Sequence, residues 1–216
     1  MPLTTFLFDL DGTLIDSIDL ILRSYRHTMR VHRGVAPPDE EWLRGLGTPT
    51  AVQFRSFSDD LVEIEAMVAT YRTYTRAHHD DLVREYPGVP EAVRAIKAAG
   101  ASLGVVTSKI RSGAERGLLV GGYGGLFDVI VAADDVERTK PDPQPVHRAL
   151  ERLGATPETA VFVGDATYDL IAGRAAGVKT AAALWGPFTR EVLAPHDPDF
   201  WLDGPDALRR LLDGHA

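Results

Sequence analysis

Two carboxylates one residue apart, closing a short apolar run, are the first feature of this sequence that could do chemistry. The segment reads Phe6-Leu7-Phe8-Asp9-Leu10-Asp11-Gly12-Thr13-Leu14. If Phe6 to Phe8 is a buried strand, side-chain alternation puts Asp9 and Asp11 on one side, and Gly12 permits a sharp exit. An Asp-rich turn or helix cap explains one aspartate after a strand, not two beside a fully apolar one. A calcium loop counted from Asp9 needs Gly at its sixth position and Glu at its twelfth, and the chain has Leu14 and Leu20 there.

Three more segments place polar groups after apolar runs. Thr107 and Ser108 follow Val105-Val106, and Asp165 follows Val163-Gly164, with Asp169 one helical turn on. Lys140, one of only four lysines against 19 arginines, stands just before a helix start at Lys140-Pro141-Asp142-Pro143. Singly, these are helix N-caps or a surface lysine. Together they would gather carboxylates, an ammonium and a hydroxyl at one sheet edge. Crowded carboxylates repel unless neutralised, and oxygen-coordinated Mg²⁺ neutralises them. A carboxylate nucleophile, a lysine and a hydroxyl then suit a phosphoryl group in transfer.

The elements that must position these groups read as strands at Phe6–Phe8, Leu103–Val106, Val129–Val131 and Val161–Val163, with a weaker one from Val178 to Leu184. Val146, Ala149, Leu150 and Leu153 mark one helix face, bounded by Pro143 and Pro145 before it and Gly154 after it. Alternating strands and helices imply an α/β fold: a Rossmann-like, doubly wound parallel sheet whose ligands bind beyond the carboxyl ends of the strands. The first crossover is too long, with about 87 residues between Leu14 and Ser102 where a dozen or two suffice. Helical stripes run through it at Ile18, Leu22, Tyr25 and Met29 and at Leu61, Ile64, Val68 and Tyr71. The expected organisation is therefore a core of residues 1–14 and 86–216 with a small inserted helical cap at 15–85. Gly121-Gly122-Tyr123-Gly124-Gly125 lacks the following Lys-Ser/Thr of a phosphate loop and reads as a flexible helix-to-strand loop.

Composition narrows the partners. The chain has 216 residues, 44% hydrophobic and 25% charged, with 31 acidic and 23 basic residues and a formal net charge of -8. That balance excludes bulk attraction to duplex nucleic acid or to an anionic membrane. The absence of cysteine excludes disulfides, thiolate catalysis and zinc–thiolate sites. No apolar run approaches a membrane span, and Met1 to Thr5 lacks the basic start of a signal peptide, so a cytoplasmic monomer or homodimer is expected.

Asp9-Leu10-Asp11-Gly12-Thr13-Leu14, Thr107-Ser108, Lys140-Pro141 and Gly164-Asp165 with Asp169 resemble the four ordered motifs of the haloacid dehalogenase superfamily. The resemblance covers nearly the whole chain, helical cap included, and points to the phosphoglycolate phosphatase and bacterial pyrophosphatase branch. His78-His79-Asp80-Asp81-Leu82-Val83 and the run from Lys140 to Pro145 look most like pyrophosphatases. The resemblance implies that Asp9 attacks phosphorus and that Asp11 is acid and then base, with Asp9 ionised and Asp11 protonated at the outset. It implies that Mg²⁺ is held by the Asp9 side chain, the Asp11 carbonyl and Asp165. Asp169 would steady that shell or pair with Lys140, while Thr107, the Ser108 N–H and Lys140 bind phosphoryl oxygens. Ala166 departs from the family, where relatives often carry a polar residue.

The expected substrate is a small phosphorylated compound, pyrophosphate ahead of 2-phosphoglycolate. Within the cap, the candidate contacts are the Leu46-Gly47-Thr48-Pro49 loop, Gly47 and Thr48 foremost, with Arg44, His27, Arg76, His78 and His79. Adjacent His78 and His79 point about 100° apart on a helix, so one at most faces the site, and His78 is the expected one. Three other chemistries share parts of this pattern. A dehalogenase needs neither a metal nor a second acid, a phosphomutase needs a cap that admits a bisphosphate, and a non-turnover phosphoacceptor module needs no cap.

Overall fold

The computed structural model describes residues 2–212. In chain order its elements are strand β1 (Thr5–Phe8), strand β2 (Ile15–Asp16), helices α1 (Ile18–Arg33), α2 (Asp39–Leu43), α3 (Thr50–Phe54) and α4 (Leu61–Leu82), and strand β3 (Arg84–Glu85). Then come α5 (Val89–Ala98), β4 (Ser102–Val106), α6 (Arg111–Val120), β5 (Val129–Val131), α7 (Gln144–Leu153), β6 (Ala160–Gly164) and α8 (Thr167–Ala175). The chain continues through β7 (Lys179–Ala183), α9 (Arg190–Leu193), β8 (Phe200–Leu202) and α10 (Pro205–Leu212).

Six strands form one sheet in the order β5-β4-β1-β6-β7-β8, every pairing parallel. Period-two alternation explains why these runs are apolar throughout. Phe6 and Phe8 of β1, Leu103 and Val105 of β4, and Val161 and Val163 of β6 enter one core layer. Leu7, Val106 and Phe162 enter the opposite layer with Val146, Ala149 and Leu150 of α7. A sheet covered on both faces has no polar side to show.

The chain moves from β1 outward to β4 and β5, then returns across β1 to start β6. The crossovers leave β1 and β6 in opposite directions, which opens a crevice at their carboxyl ends. Phe8 lies opposite both Val105 and Val163, so the three central strands end level. The residues that follow extend the ladder: Asp9 N–H donates to the Val163 carbonyl and Thr107 N–H to the Val131 carbonyl, both at 2.9 Å. Backbone pairing thus fixes where the first aspartate and the threonine begin.

Helices α1 to α4 are strung between β2 and β3, which pair antiparallel, Ile15 with Glu85 and Asp16 with Arg84. These helices bury their own aromatic centre. Trp42 stacks on Tyr25 at 4.8 Å and on Tyr71 at 5.6 Å, with Phe54 tilted against it at 4.8 Å. Of the two expected stripes, Tyr25, Met29, Ile64, Val68 and Tyr71 are buried, whereas Leu61, the first residue of α4, is exposed. The β2–β3 ribbon and β8 are absent from the sequence reading: two-residue strands leave no periodic signal, and Phe200–Leu202 lacks the β-branched run that marks Val129–Val131. The glycine run between α6 and β5 is a loop as expected, but Tyr123 pins it by donating from its hydroxyl to the Leu14 carbonyl at 2.9 Å.

Trp42→Ala empties the aromatic centre of the inserted helices, and such large-to-small changes cost about 3–5 kcal/mol. Urea unfolding followed by tryptophan-independent circular dichroism should show that loss, and an unchanged midpoint would mean the insertion has no packed core of its own.

Candidate active site

The first turn after β1 is built on one carbonyl. Leu10 O accepts from Leu14 N–H at 2.9 Å and Ile15 N–H at 3.0 Å, folding the chain back within five residues. Gly12 makes this possible with φ +88°, and a Cβ there would lie 2.4 Å from Asp165 Oδ2. Only a residue without a side chain lets the β1 and β6 loops approach so closely. Thr13 then donates from its hydroxyl to Asp165 Oδ1 at 2.5 Å, and Trp185 Nε1 holds the Thr13 carbonyl at 2.9 Å.

Asp9, Asp165, Asp169 and Lys140 are all brought together and all buried. Carboxylate oxygens of Asp9, Asp165 and Asp169 lie within 4.8 Å of one another. Lys140 Nζ is 2.5 Å from Asp169 Oδ1 and 2.9 Å from Asp9 Oδ1, and it sits 5.6 Å above the Phe162 ring centroid. Asp169 uses its second oxygen as well, accepting the Ala166 N–H at 3.0 Å. Both Asp169 oxygens are therefore engaged. Asp165 Oδ2 has no partner, and Asp9 Oδ1, though near the ammonium, meets no donor in hydrogen-bonding geometry. Two hard, anionic oxygens left unsatisfied in a dry site are what a divalent cation of the Mg²⁺ kind requires, so Asp9 and Asp165 could hold one.

The electrostatics carry the same mark. Burial, with Asp169 and Asp11 nearby, pushes Asp9 up to about 7 in spite of Lys140. Burial, Asp169 and Asp9 hold Asp165 well above the usual carboxylate range. Burial opposes the Lys140 charge, but Asp169 and Asp9 outweigh it and hold the ammonium above its ordinary pKa.

Asp11 stands apart. Its Oδ1 accepts from Ser17 Oγ and from Lys109 Nζ, both at 2.6 Å. Burial raises its pKa, but Lys109 and Ser17 overcome that and leave it below the usual range. Among the protein groups alone, then, the directions run against an ionised Asp9 and a protonated Asp11: burial raises Asp9, and Lys109 with Ser17 lowers Asp11. Nothing singled out Lys109 or Ser17 in the sequence. The rarity of lysine that drew attention to Lys140 applies equally to Lys109, two residues after Thr107.

Asp9, Asp11, Lys109 and Lys140 line a cavity of about 420 Å³ between the strand ends and the inserted helices, with Asp165 and Asp169 buried behind it. Thr107, Ser108, Gly47 and Thr48 line it, as do Arg76 and His79, whereas Arg44, His27 and His78 do not. Arg44 is exposed, and His78 packs its ring against Tyr74 at 4.3 Å. The rotation of α4 turns His79 to the cavity in place of His78, the opposite of the expectation. The Leu46–Pro49 loop touches the core directly. Ser108 Oγ donates to the Gly47 carbonyl at 2.5 Å, and Gly47, with φ +97°, passes so close to α8 that a Cβ would be 3.3 Å from that of Ala166. The small residue at 166 is what admits the loop.

The sequence pattern of the haloacid dehalogenase-like hydrolases matches residues 6–183. The chain belongs to this family. Curated relatives include the pyrophosphatase PpaX of Bacillus cereus (strain B4264), 41% identical over 212 residues, covering 98% of this chain and 97% of that one. PpaX of Halalkalibacterium halodurans is 41% identical over 209 residues, 96% of each chain. Among solved structures, a haloacid dehalogenase-like hydrolase from Streptococcus pneumoniae superposes with a TM-score of 0.83 at 26% identity, covering 95% of this chain and 96% of that one. One from Lactobacillus plantarum, provisionally named a phosphoglycolate phosphatase, gives 0.88 at 25% identity over 98% and 100%. Membership in this family makes the chain a hydrolase, and the matched span contains the buried carboxylates, Lys140 and the inserted helices together.

Removing the ammonium leaves Asp9 and Asp169 buried and uncompensated. Lys140→Met should cost about 3–5 kcal/mol in urea unfolding at neutral pH with EDTA present. The deficit should shrink as pH falls, because the carboxylates take up protons and the repulsion disappears. A pH-independent deficit would mean that lost packing, not lost charge, is responsible.

Proposed function

We propose that this protein is a Mg²⁺-dependent phosphohydrolase that works through an aspartyl-phosphate and that its substrate is inorganic pyrophosphate. The observation that carries the chemistry is the unsatisfied buried pair, Asp9 Oδ1 and Asp165 Oδ2, of which Asp9 lies beside Lys140 and lines the cavity with it. In this reading Asp9, Asp165 and the Asp11 carbonyl hold the cation, and Asp169, both of whose oxygens are engaged, positions Lys140. A bound Mg²⁺ supplies positive charge that keeps Asp9 ionised and offsets charge on the phosphoryl oxygens.

The chain's own residues do the rest. Lys140, Thr107 and the Ser108 N–H orient the phosphoryl group, and an Asp9 carboxylate oxygen forms a bond to phosphorus as the bond to the leaving oxygen breaks. A phosphoryl group that draws Lys109 off Asp11 lets Asp11 carry a proton, which it gives to the leaving oxygen. Asp11 then takes a proton from the water that cleaves the aspartyl-phosphate. Residues 15–85 act as a cap on a core of 1–14 and 86–216, and the Gly47–Ser108 contact closes it against water.

Pyrophosphate is favoured by 41% identity to PpaX across nearly the whole chain and by His79 of the His78–Val83 segment lining the cavity. The likeness to the Lactobacillus plantarum structure keeps 2-phosphoglycolate as the second reading. A cytoplasmic setting fits a small phosphate substrate, and no described helix is long and apolar enough to cross a membrane.

Phosphate release from pyrophosphate should require Mg²⁺ and vanish in Asp9→Asn while that variant keeps the wild-type circular dichroism spectrum. Turnover in EDTA, or in Asp9→Asn, overturns the mechanism. Independently of turnover, Mg²⁺ should raise the melting temperature of the wild type and leave that of Asp165→Asn unmoved.

A further inference from the structure

We propose that Arg72 and Arg76 form a second anion subsite, which holds the non-transferred end of the substrate. The inference rests on phosphoryl transfer at Asp9 and adds the residues that would hold the leaving group, which must then bear a phosphate or carboxylate and not be a neutral alcohol.

The subsite follows from the face that α4 turns to the cavity. Arg72, Thr75, Arg76 and His79 all line it, and their spacing is that of one helical stripe. His79 marks the inner end, close enough to Asp11 and Lys109 for their charges to interact with it. Arg72 lies seven residues away, about 10 Å along the helix axis. The stripe therefore begins beside the residue that protonates the leaving oxygen and runs outward. A group leaving phosphorus on that side meets α4.

Charge pairing separates these two arginines from the other lining cations. Lys140 is paired with Asp9 and Asp169, Lys109 with Asp11, and Arg116 with Asp80. Among the described residues, neither the Arg72 nor the Arg76 guanidinium meets a carboxylate or any hydrogen-bond acceptor, although both line the cavity. Acidic residues outnumber basic ones 31 to 23, so carboxylate partners are not scarce in this chain. Like charges one turn apart repel, and an anion between them removes the repulsion. The guanidinium fork matches phosphate and carboxylate oxygens in pairs. Both side chains are exposed and free to turn onto a ligand.

The test compares Arg72→Gln, Arg76→Gln and the double variant with Arg30→Gln, which removes the same charge from an exposed site on α1 outside the cavity. Three substrates are used with Mg²⁺: pyrophosphate, 2-phosphoglycolate and p-nitrophenyl phosphate, whose leaving group has no phosphate or carboxylate. Removing either guanidinium should lower kcat/KM about tenfold through its charge-assisted hydrogen bonds, so the double variant falls about 100-fold on whichever anionic substrate the wild type uses. The loss on p-nitrophenyl phosphate should be at least about tenfold smaller, and Arg30→Gln should fall by less than about threefold on all of them. Binding of methylenediphosphonate, measured by calorimetry, should weaken in parallel with the anionic substrates. Equal losses on all three substrates, equal losses in Arg30→Gln, or unweakened methylenediphosphonate binding in the double variant overturns the subsite. Failure of the phosphohydrolase reading looks different: no Asp9-dependent turnover of any substrate, with methylenediphosphonate binding still deciding the subsite.

Discussion

A single ammonium buried among three buried carboxylates is the constraint on which this structure turns. Asp9, Asp165 and Asp169 stand at the ends of two neighbouring strands and on the first turn of the helix after β6, where backbone pairing fixes their starting points. Lys140 touches two of them, and with the Ala166 N–H it satisfies both oxygens of Asp169. When all three carboxylates are ionised, two negative charges remain on side chains largely withdrawn from water. That imbalance is why the pKa of Asp9 and of Asp165 rises, and it matches the charge of one divalent cation. The overall charge of -8 is irrelevant on this scale, because the field that a phosphoryl group meets is set within a few ångströms.

The second constraint is closeness. Gly12 lets the β1 loop press against Asp165, and Gly47 with Ala166 lets the inserted loop press against the start of α8. Ser108, which lines the cavity just after β4, bonds the Gly47 carbonyl. The floor of the cavity and its roof thus meet through one hydroxyl.

Much of this was legible in the sequence, and the physical reason is plain. The sheet strands are buried on both faces, so Phe6–Phe8 and Val161–Val163 stand out as unbroken apolar runs, and a buried aspartate follows one or two residues later. The inserted helices showed themselves by length and by stripes such as Tyr25 and Met29. What stayed hidden depends on pairings between distant segments. Lys109 reaches Asp11 across 98 positions, and Thr13 reaches Asp165 across 152. The choice between His78 and His79 turns on the rotation of α4, which is set by Trp42 and Tyr71 packing together. A periodic pattern fixes which residues share a face, but not which face a neighbouring domain will meet. The ribbon of β2 and β3 is too short to have a period at all.

That ribbon has a consequence for where the site can vary. The inserted helices leave and rejoin the chain at adjacent points, Asp16 opposite Arg84, and they carry their own aromatic centre around Trp42. On their cavity-facing stripe, Arg72 and Arg76 are exposed and stand outside that aromatic centre, so changes at these two positions leave the strand ends and the packing of the helices in place. The face that meets a substrate can therefore be changed at a few α4 positions without touching the carboxylates or Lys140.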